Sequence, residues 1–137
     1  MTYYHTQVLK IRNQYFPKPY IIAQLIKAKR FIDENYCMDI NLEAIADFSF
    51  ISKFHFIRLF KKCYGTTPHQ YLTEKRIQHA KHLLRSNHSV TETCYLVGFE
   101  SPTSFAAVFK KYVRTSPSEF QKKQFSIGVF QSLPPIL

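Results

Sequence analysis

Residues 54–71 read FHFIRLFKKCYGTTPHQY, and residues 103–120 read TSFAAVFKKYVRTSPSEF, the same pattern written a second time. Set in register from Ser52 against Ser101, the two stretches agree at seven of twenty positions: Ser52, Phe56, Phe60, Lys61, Lys62, Thr66 and Pro68 meet Ser101, Phe105, Phe109, Lys110, Lys111, Thr115 and Pro117. Ordinary composition would give about one match. Upstream the register shifts by one, so that Asn41 meets Ser89, Leu42 meets Val90, Ala46 meets Cys94 and Ile51 meets Phe99, with Glu100 as an extra residue. The repeated unit is a cap, a short apolar helix, a tight turn and a basic helix.

Apolar residues recur at spacings of three and four and only three glycines interrupt the chain, which predicts an all-α fold of about seven helices. A first helix is expected from Pro19 to Tyr36, with Ile22, Leu25, Ile26, Phe31 and Ile32 as its apolar stripe. Asn41 is an N-cap for a short helix carrying Leu42, Ile45 and Ala46, which breaks around Asp47 to Ile51. From Lys53 to Cys63, at 100° per residue, Phe56, Leu59, Phe60 and Cys63 share the inner face; Phe54, Arg58 and Lys61 point the opposite way, flanked by Ile57 and Lys62. Gly65 and Pro68 punctuate the chain, and Pro68 suits the first turn of a helix reaching about Arg85 with Leu72, Ile77, Ala80, Leu83 and Leu84 inward. The pattern then restarts. Ser89 and Glu92 form a capping box before Val90, Cys94 and Val97, Gly98 marks a turn, and Pro102 to Tyr112 turns Phe105, Val108, Phe109 and Tyr112 inward.

These elements divide the chain into an N-terminal extension (1–18), a first helix-turn-helix subdomain (19–67), a linker helix (68–86), a second subdomain (87–122) and an apolar C-terminal tail (123–137). In a helix-turn-helix the second helix protrudes with one free face. Two such heads can reach neighbouring major-groove segments, which lie ~34 Å apart on one face of DNA. A connecting helix of about 17 residues would be ~25 Å long at 1.5 Å per residue, a suitable rigid spacer. The expected state is a monomer, unless a dimerisation domain is missing.

Nineteen Lys plus Arg against nine Asp plus Glu give a formal charge of +10, which favours polyanionic partners, nucleic acid or an acidic membrane surface. With 45% hydrophobic residues and thirteen Phe, that charge sits on a folded body rather than a disordered tail. Cys37, Cys63 and Cys94 are odd in number, widely spaced and without a CxxC pair, which suggests neither a disulfide framework nor a zinc site. His69, His79, His82 and Cys63 lack the tight, closed spacing of a ligand set, so no metal and no cofactor is expected. No Gly-rich phosphate loop, nucleophile elbow or HExxH occurs, and no enzyme is expected. The N-terminus lacks the apolar run of a signal peptide and no window is long enough to span a bilayer, so a membrane partner is not expected.

The stretches NLEAIADFSFISKFHFIRLFKKCYGTTPHQYL (41–72) and SVTETCYLVGFESPTSFAAVFKKYVRTSPSEF (89–120) resemble the two helix-turn-helix units of AraC/XylS-type transcription regulators. Gly98, Phe99, Phe105, Phe109, Lys110 and Pro117 stand at the signature places, and the likeness runs from about Pro19 to Lys122. It implies sequence-specific binding of double-stranded DNA, control of transcription initiation with RNA polymerase as a further candidate partner, and a nucleoid-associated place in a bacterial cytoplasm. Two positions depart from the pattern: Phe50 stands in the first turn where many members have glycine, and Arg114 replaces the glycine after the second FKK. Most members also attach an effector-binding or dimerisation domain, too large for the 18 residues before Pro19 and the 15 after Lys122. The chain is then either a stand-alone monomeric regulator or a domain of a longer one.

Lys53, Phe54, Ile57 and Arg58 on the first basic helix, and Thr103, Ser104 and Ala107 on the second, are the candidate base readers. Arg58 can grip guanine O6 and N7, and Phe54 or Ile57 can touch a thymine methyl. Ser52, Lys61, Lys62, Ser101, Lys110, Lys111 and Arg114 are the candidate phosphate contacts. Plainer roles compete with these: the lysines as solvated faces, Phe54 against a neighbouring helix, Ser52 and Ser101 as caps alone. Two other functions stay open, non-specific architectural DNA binding and an interaction module docking through FSIGVFQSLPPIL, residues 125–137.

Overall fold

The computed structural model describes residues 18–41, 43 and 52–132, with side chains through residue 125. Among the described residues lie six helices and no strand: α1 (Pro19–Asn35), α2 (Lys53–Tyr64), α3 (Pro68–Arg85), α4 (Val90–Leu96), α5 (Pro102–Val113) and α6 (Pro117–Ser132). The all-α expectation holds. The short helix expected after Asn41 falls on residues of which only Glu43 is described, and Phe50 lies outside the described residues, as does the tail from residue 133.

The described residues form two compact units, one of 18–34 with 40–71, the other of 35–39 with 72–132. In the first, Ile21, Leu25, Ala28 and Ile32 of α1 are buried together with Phe56 and Phe60 of α2. This stripe, at spacings of four, three and four, differs from the expected one: Ile22, Ile26 and Phe31 are 39%, 46% and 42% exposed. Reading for bulk passed over Ala28, whose small side chain lies wholly inside. Phe60 sits at the centre, 6.2 Å from Phe56, 4.8 Å from Tyr64 and 6.1 Å from Tyr71 between ring centroids. The Tyr71 hydroxyl donates to Asp33, and Lys29 pairs with Asp33 at 3.1 Å while lying over the Tyr71 ring.

The second unit repeats this arrangement. Phe105 and Phe109 of α5 are fully buried at a centroid distance of 5.6 Å, and Phe120 of α6 meets Phe109 at 5.5 Å, as Tyr71 meets Phe60. Ile77, Ala80, Leu84, Cys94 and Val97 complete the core, with Leu83, Val90, Phe99, Val108 and Val113 packed against it. Gln121 Nε2 donates to the carbonyls of Leu84 and His88 at the end of α3, and Arg85 lies over the Phe120 ring.

Cys63 and Tyr112, expected inward, are both exposed. They stand at equivalent places in the two copies, and in each the next residue, Tyr64 or Val113, covers the core instead. The buried direction bisects each Phe pair, so both neighbours flank it at similar angles and the tertiary fit decides between them.

Helix ends follow local chemistry. Thr67 and Gln70 form a reciprocal capping box at α3: Gln70 N–H donates to Thr67 Oγ1 at 3.2 Å and Thr67 N–H to Gln70 Oε1 at 3.1 Å. Ser116 caps α6 in the same way, accepting from Glu119 N–H at 3.2 Å. The repeat therefore includes α6, a helix opened by TSP as α3 is opened by TTP. At the end of α4, Gly98 (φ 97°) closes a Schellman turn, with Phe99 N–H on the Cys94 carbonyl and Gly98 N–H on that of Tyr95. Asn87 (φ 71°) does the same for α3.

The turn at Gly98 is held from two sides. A Cβ there would stand 3.0 Å from the Cys37 carbonyl oxygen and 3.1 Å from Arg76 Nε. Arg76 in turn donates to the carbonyls of Tyr36 (2.7 Å) and Met38 (2.9 Å) and lies over the Phe99 ring. Beside it, His79 Nδ1 is 3.2 Å from the Tyr36 hydroxyl and 3.4 Å from Cys37 Sγ. Burial, with lesser contributions from His82 and His88, lowers the His79 pKa below its ordinary value.

Two outcomes follow for stability in urea. Gly65 is also left-handed (φ 79°) but has nothing within 4 Å of a Cβ, so Gly65→Ala should cost about 1 kcal/mol, the left-handed penalty alone. Gly98→Ala should cost visibly more, because backbone must also move. For His79, a lowered folded pKa means that its contribution is present above the unfolded value near 6.5 and is lost as pH falls through the folded one. The urea midpoint should drop between pH 7 and 5, and His79→Gln should remove that part of the drop.

Candidate nucleic-acid interface

Burial of Phe56 and Phe60 dictates what α2 shows outside. Ile57, Lys61, Phe54 and Arg58 lie within about 100° of arc on the opposite side, with Lys62 beside it, whereas Lys53 projects near Phe60 and is exposed as the first residue of the helix. Phe54 is 75% exposed, the largest exposure of any big apolar side chain among the described residues, and so is left largely in solvent rather than packed on another of their helices. Arg58, Lys61 and Lys62 are exposed and Ile57 is half-buried. Arg58 and Lys61 have no ion-pair partner among the described residues. An apolar ring between a forked cation and an ammonium is a surface suited to base edges and phosphates together.

Lys53 stands differently from its neighbours. Its Nζ donates to Glu43 Oε1, and that hydrogen bond and charge hold the Glu43 carboxyl below its ordinary pKa. Glu43 was absent from the candidate residues. Its nearest sequence signal is its position two residues after the Asn41 cap, where Asn41 Oδ1 accepts from Glu43 N–H at 3.0 Å; a partner ten residues away has no periodic signature.

On α5 the outward residues are Thr103, Ala107 and Lys110, with Lys111 and Ser104 beside them, all exposed. No long donor occupies the positions equivalent to Phe54, Ile57 and Arg58. Ser52 and Ser101 are N-caps: Ser52 Oγ accepts from His55 N–H at 3.1 Å, and Ser101 Oγ accepts from Ser104 N–H at 3.2 Å while donating to the Ser104 hydroxyl at 3.1 Å. Each basic helix ends in the same cap geometry, the Gly65 N–H on the Lys61 carbonyl and the Arg114 N–H on that of Lys110, at 2.7 and 2.8 Å. Arg114 thus holds φ 75° where a glycine would be unstrained. No group of three or more His, Cys, Asp or Glu able to hold a metal occurs among the described residues, and none of their helices is long and apolar enough to cross a membrane.

Paired caps, buried Phe pairs and exposed basic helix faces fit a helix-turn-helix protein, and the family described as "Helix-turn-helix domain" matches residues 45–123. The chain belongs to that family. An uncharacterised HTH-type transcriptional regulator from Pseudoalteromonas carrageenovora is 38% identical over 99 residues, covering 72% of this chain and 58% of the relative. The lactose operon transcription activator of Staphylococcus xylosus is 31% identical over 132 residues, 91% of this chain and 47% of that protein. Among solved structures, a transcriptional regulator from Chromobacterium violaceum with an AraC-type DNA-binding domain superposes with a TM-score of 0.64 at 25% identity, over 74% of this chain and 92% of that one. Within the helix-turn-helix class, then, this is an AraC/XylS-type DNA-binding domain of a transcription regulator. The chain spans 58% and 47% of the lengths of the two relatives named.

Arg114→Gly should raise stability by about 1 kcal/mol, since it removes the left-handed penalty and keeps the cap. The urea midpoint at constant slope measures this; a fall in midpoint would mean that the Arg114 side chain stabilises the fold.

Proposed function

We propose that the chain is a sequence-specific DNA reader that sets α2 and α5 in two adjacent major-groove segments and acts as a monomer. The exposed Phe54, beside Arg58 on a helix whose other face is fully committed to the core, carries the proposal. On this reading Arg58 grips a guanine, Phe54 and Ile57 meet thymine methyls, and Lys61 and Lys62 bind phosphates. The second head does less direct reading. Thr103, Ser104 and Ala107 offer methyl groups and hydroxyls only, while Lys110, Lys111 and Arg114 anchor the register on the backbone. A left-handed arginine where glycine is favoured supports a phosphate role for Arg114, since strain of this kind persists where a side chain is needed. Ser52 and Ser101, already capping, present the helix N-termini to phosphates.

The relatives named as transcription activators support a role at promoters, with RNA polymerase as the second partner and the bacterial nucleoid as the place of action. Regulation of transcription, not catalysis, is the proposed activity.

Selection from a random duplex library supplies the site for the test, followed by anisotropy titration of that duplex and a scrambled one across a salt series. A bipartite site with centres about one helical turn apart is expected. Arg58→Ala should cost ~1–3 kcal/mol on the selected duplex and relax one base pair, whereas Lys110→Ala should weaken both duplexes alike and reduce the salt slope by about one. Equal loss on both duplexes for Arg58→Ala would sink the assignment; equal affinity of the parent for both would favour architectural binding.

A further inference from the structure

We propose that Glu43 is a specificity-determining residue of the DNA-reading surface, acting by cancelling the charge of Lys53 against arbitrary DNA. This rests on the reading of α2 given above. Lys53 is the first residue of α2, and the N-terminal residues of a recognition helix are the ones that approach base edges. On a random duplex, where no base contacts fix the helix, a free ammonium there would add attraction to the phosphate backbone; on the selected duplex the base contacts of α2 hold that position at base edges, so the gain falls on wrong sites. The structure instead holds Lys53 in an ion pair with Glu43, while Arg58 and Lys61 of the same helix have no such partner among the described residues.

Stability does not account for the pair. Both side chains are largely in water, at 49% and 67% exposure, where ion pairs contribute little. The position is nevertheless built: Asn41 fixes the Glu43 backbone and the Ser52 cap fixes the start of α2. In a chain of formal charge +10, random-sequence binding is readily strong, and discrimination improves by withholding attraction from wrong sites as much as by adding it at the right one. A carboxylate beside the reading helix does this. It neutralises one cation and keeps phosphates away from this corner of the surface, which costs little where base contacts already hold the helix at base edges.

The test uses the 137-residue chain, the duplex selected from the library and a random duplex, titrated across a salt series. Glu43→Gln should steepen the random-duplex salt slope by about 0.9, one released Lys–phosphate contact, and raise random-duplex affinity by up to about eightfold at 0.1 M salt. The ratio of selected to random affinity should fall. Glu43→Asp, which keeps the charge, should preserve much of that ratio. The double variant Glu43→Gln with Lys53→Gln, as neutral as the native pair, should return to the parent's random-duplex slope. An unchanged slope and ratio in Glu43→Gln would overturn the proposal, as would a double variant with a slope about 0.9 below the parent, because Lys53 would then already touch phosphates. Arg58→Ala tests the reading of α2 independently: a parent that discriminates, loses that discrimination with Arg58 and is indifferent to Glu43→Gln refutes the role of Glu43 alone.

Discussion

Each basic helix is positioned by two phenylalanines four residues apart, Phe56 with Phe60 and Phe105 with Phe109. All four rings are buried, and in each copy the second meets an aromatic from the helix that follows, Tyr71 or Phe120. Rotating α2 or α5 about its axis would drag two large rings toward water, at a cost of roughly 1.5–3 kcal/mol for each ring fully exposed. The outward face is therefore not free to choose its orientation. Every candidate DNA contact on these helices inherits its direction from this constraint.

Helix ends complete the device. The left-handed caps at Gly65 and Arg114 stop the two basic helices at equivalent residues, and the Thr67 and Ser116 caps restart the chain within two residues. The short connection forces the next helix across the buried rings, which is how Tyr71 and Phe120 reach them. In the second unit the Gly98 turn has a further constraint, since the Cys37 carbonyl and Arg76 would have to give way by a few tenths of an ångström to admit a Cβ. Turn geometry there is set jointly by backbone conformation and close approach.

The two copies share a frame but not a surface. One helix presents Phe54, Ile57 and Arg58; the other presents small residues at the equivalent places. Duplication of the buried positions with divergence of the outer ones is what separate selection of fold and of contacts would produce. The same separation explains why strain is kept at Arg114 while Gly65 remains unstrained, one cap having been given a charged side chain and the other not.

Much of this was legible in the chain itself. Seven identities between the copies fell on the cap, the two rings, the paired lysines, the threonine and the proline; local chemistry and burial restrict the cap, the rings and the proline, whereas the paired lysines are an exposed feature that both copies keep. Helix extents and the outward place of Phe54 and Arg58 followed from periodicity, and the Ser89 cap and the Gly98 turn from residue type. What periodicity could not decide were choices between near-equal neighbours. Ile21 and Ala28, not Ile22, Ile26 and Phe31, face the core; Tyr64 and Val113, not Cys63 and Tyr112, close it. Adjacent side chains that flank the core direction, such as Cys63 and Tyr64 at about 40° and 60° to either side of it, are separated by the shape of the surface they meet, which belongs to other elements. The Lys53–Glu43 pair and the grip of Arg76 on Tyr36 and Met38 were equally hidden, because they join residues ten to forty positions apart. Sequence determines which faces can exist; only the folded chain determines which of two adjacent side chains fills a given space, and which distant charge it meets.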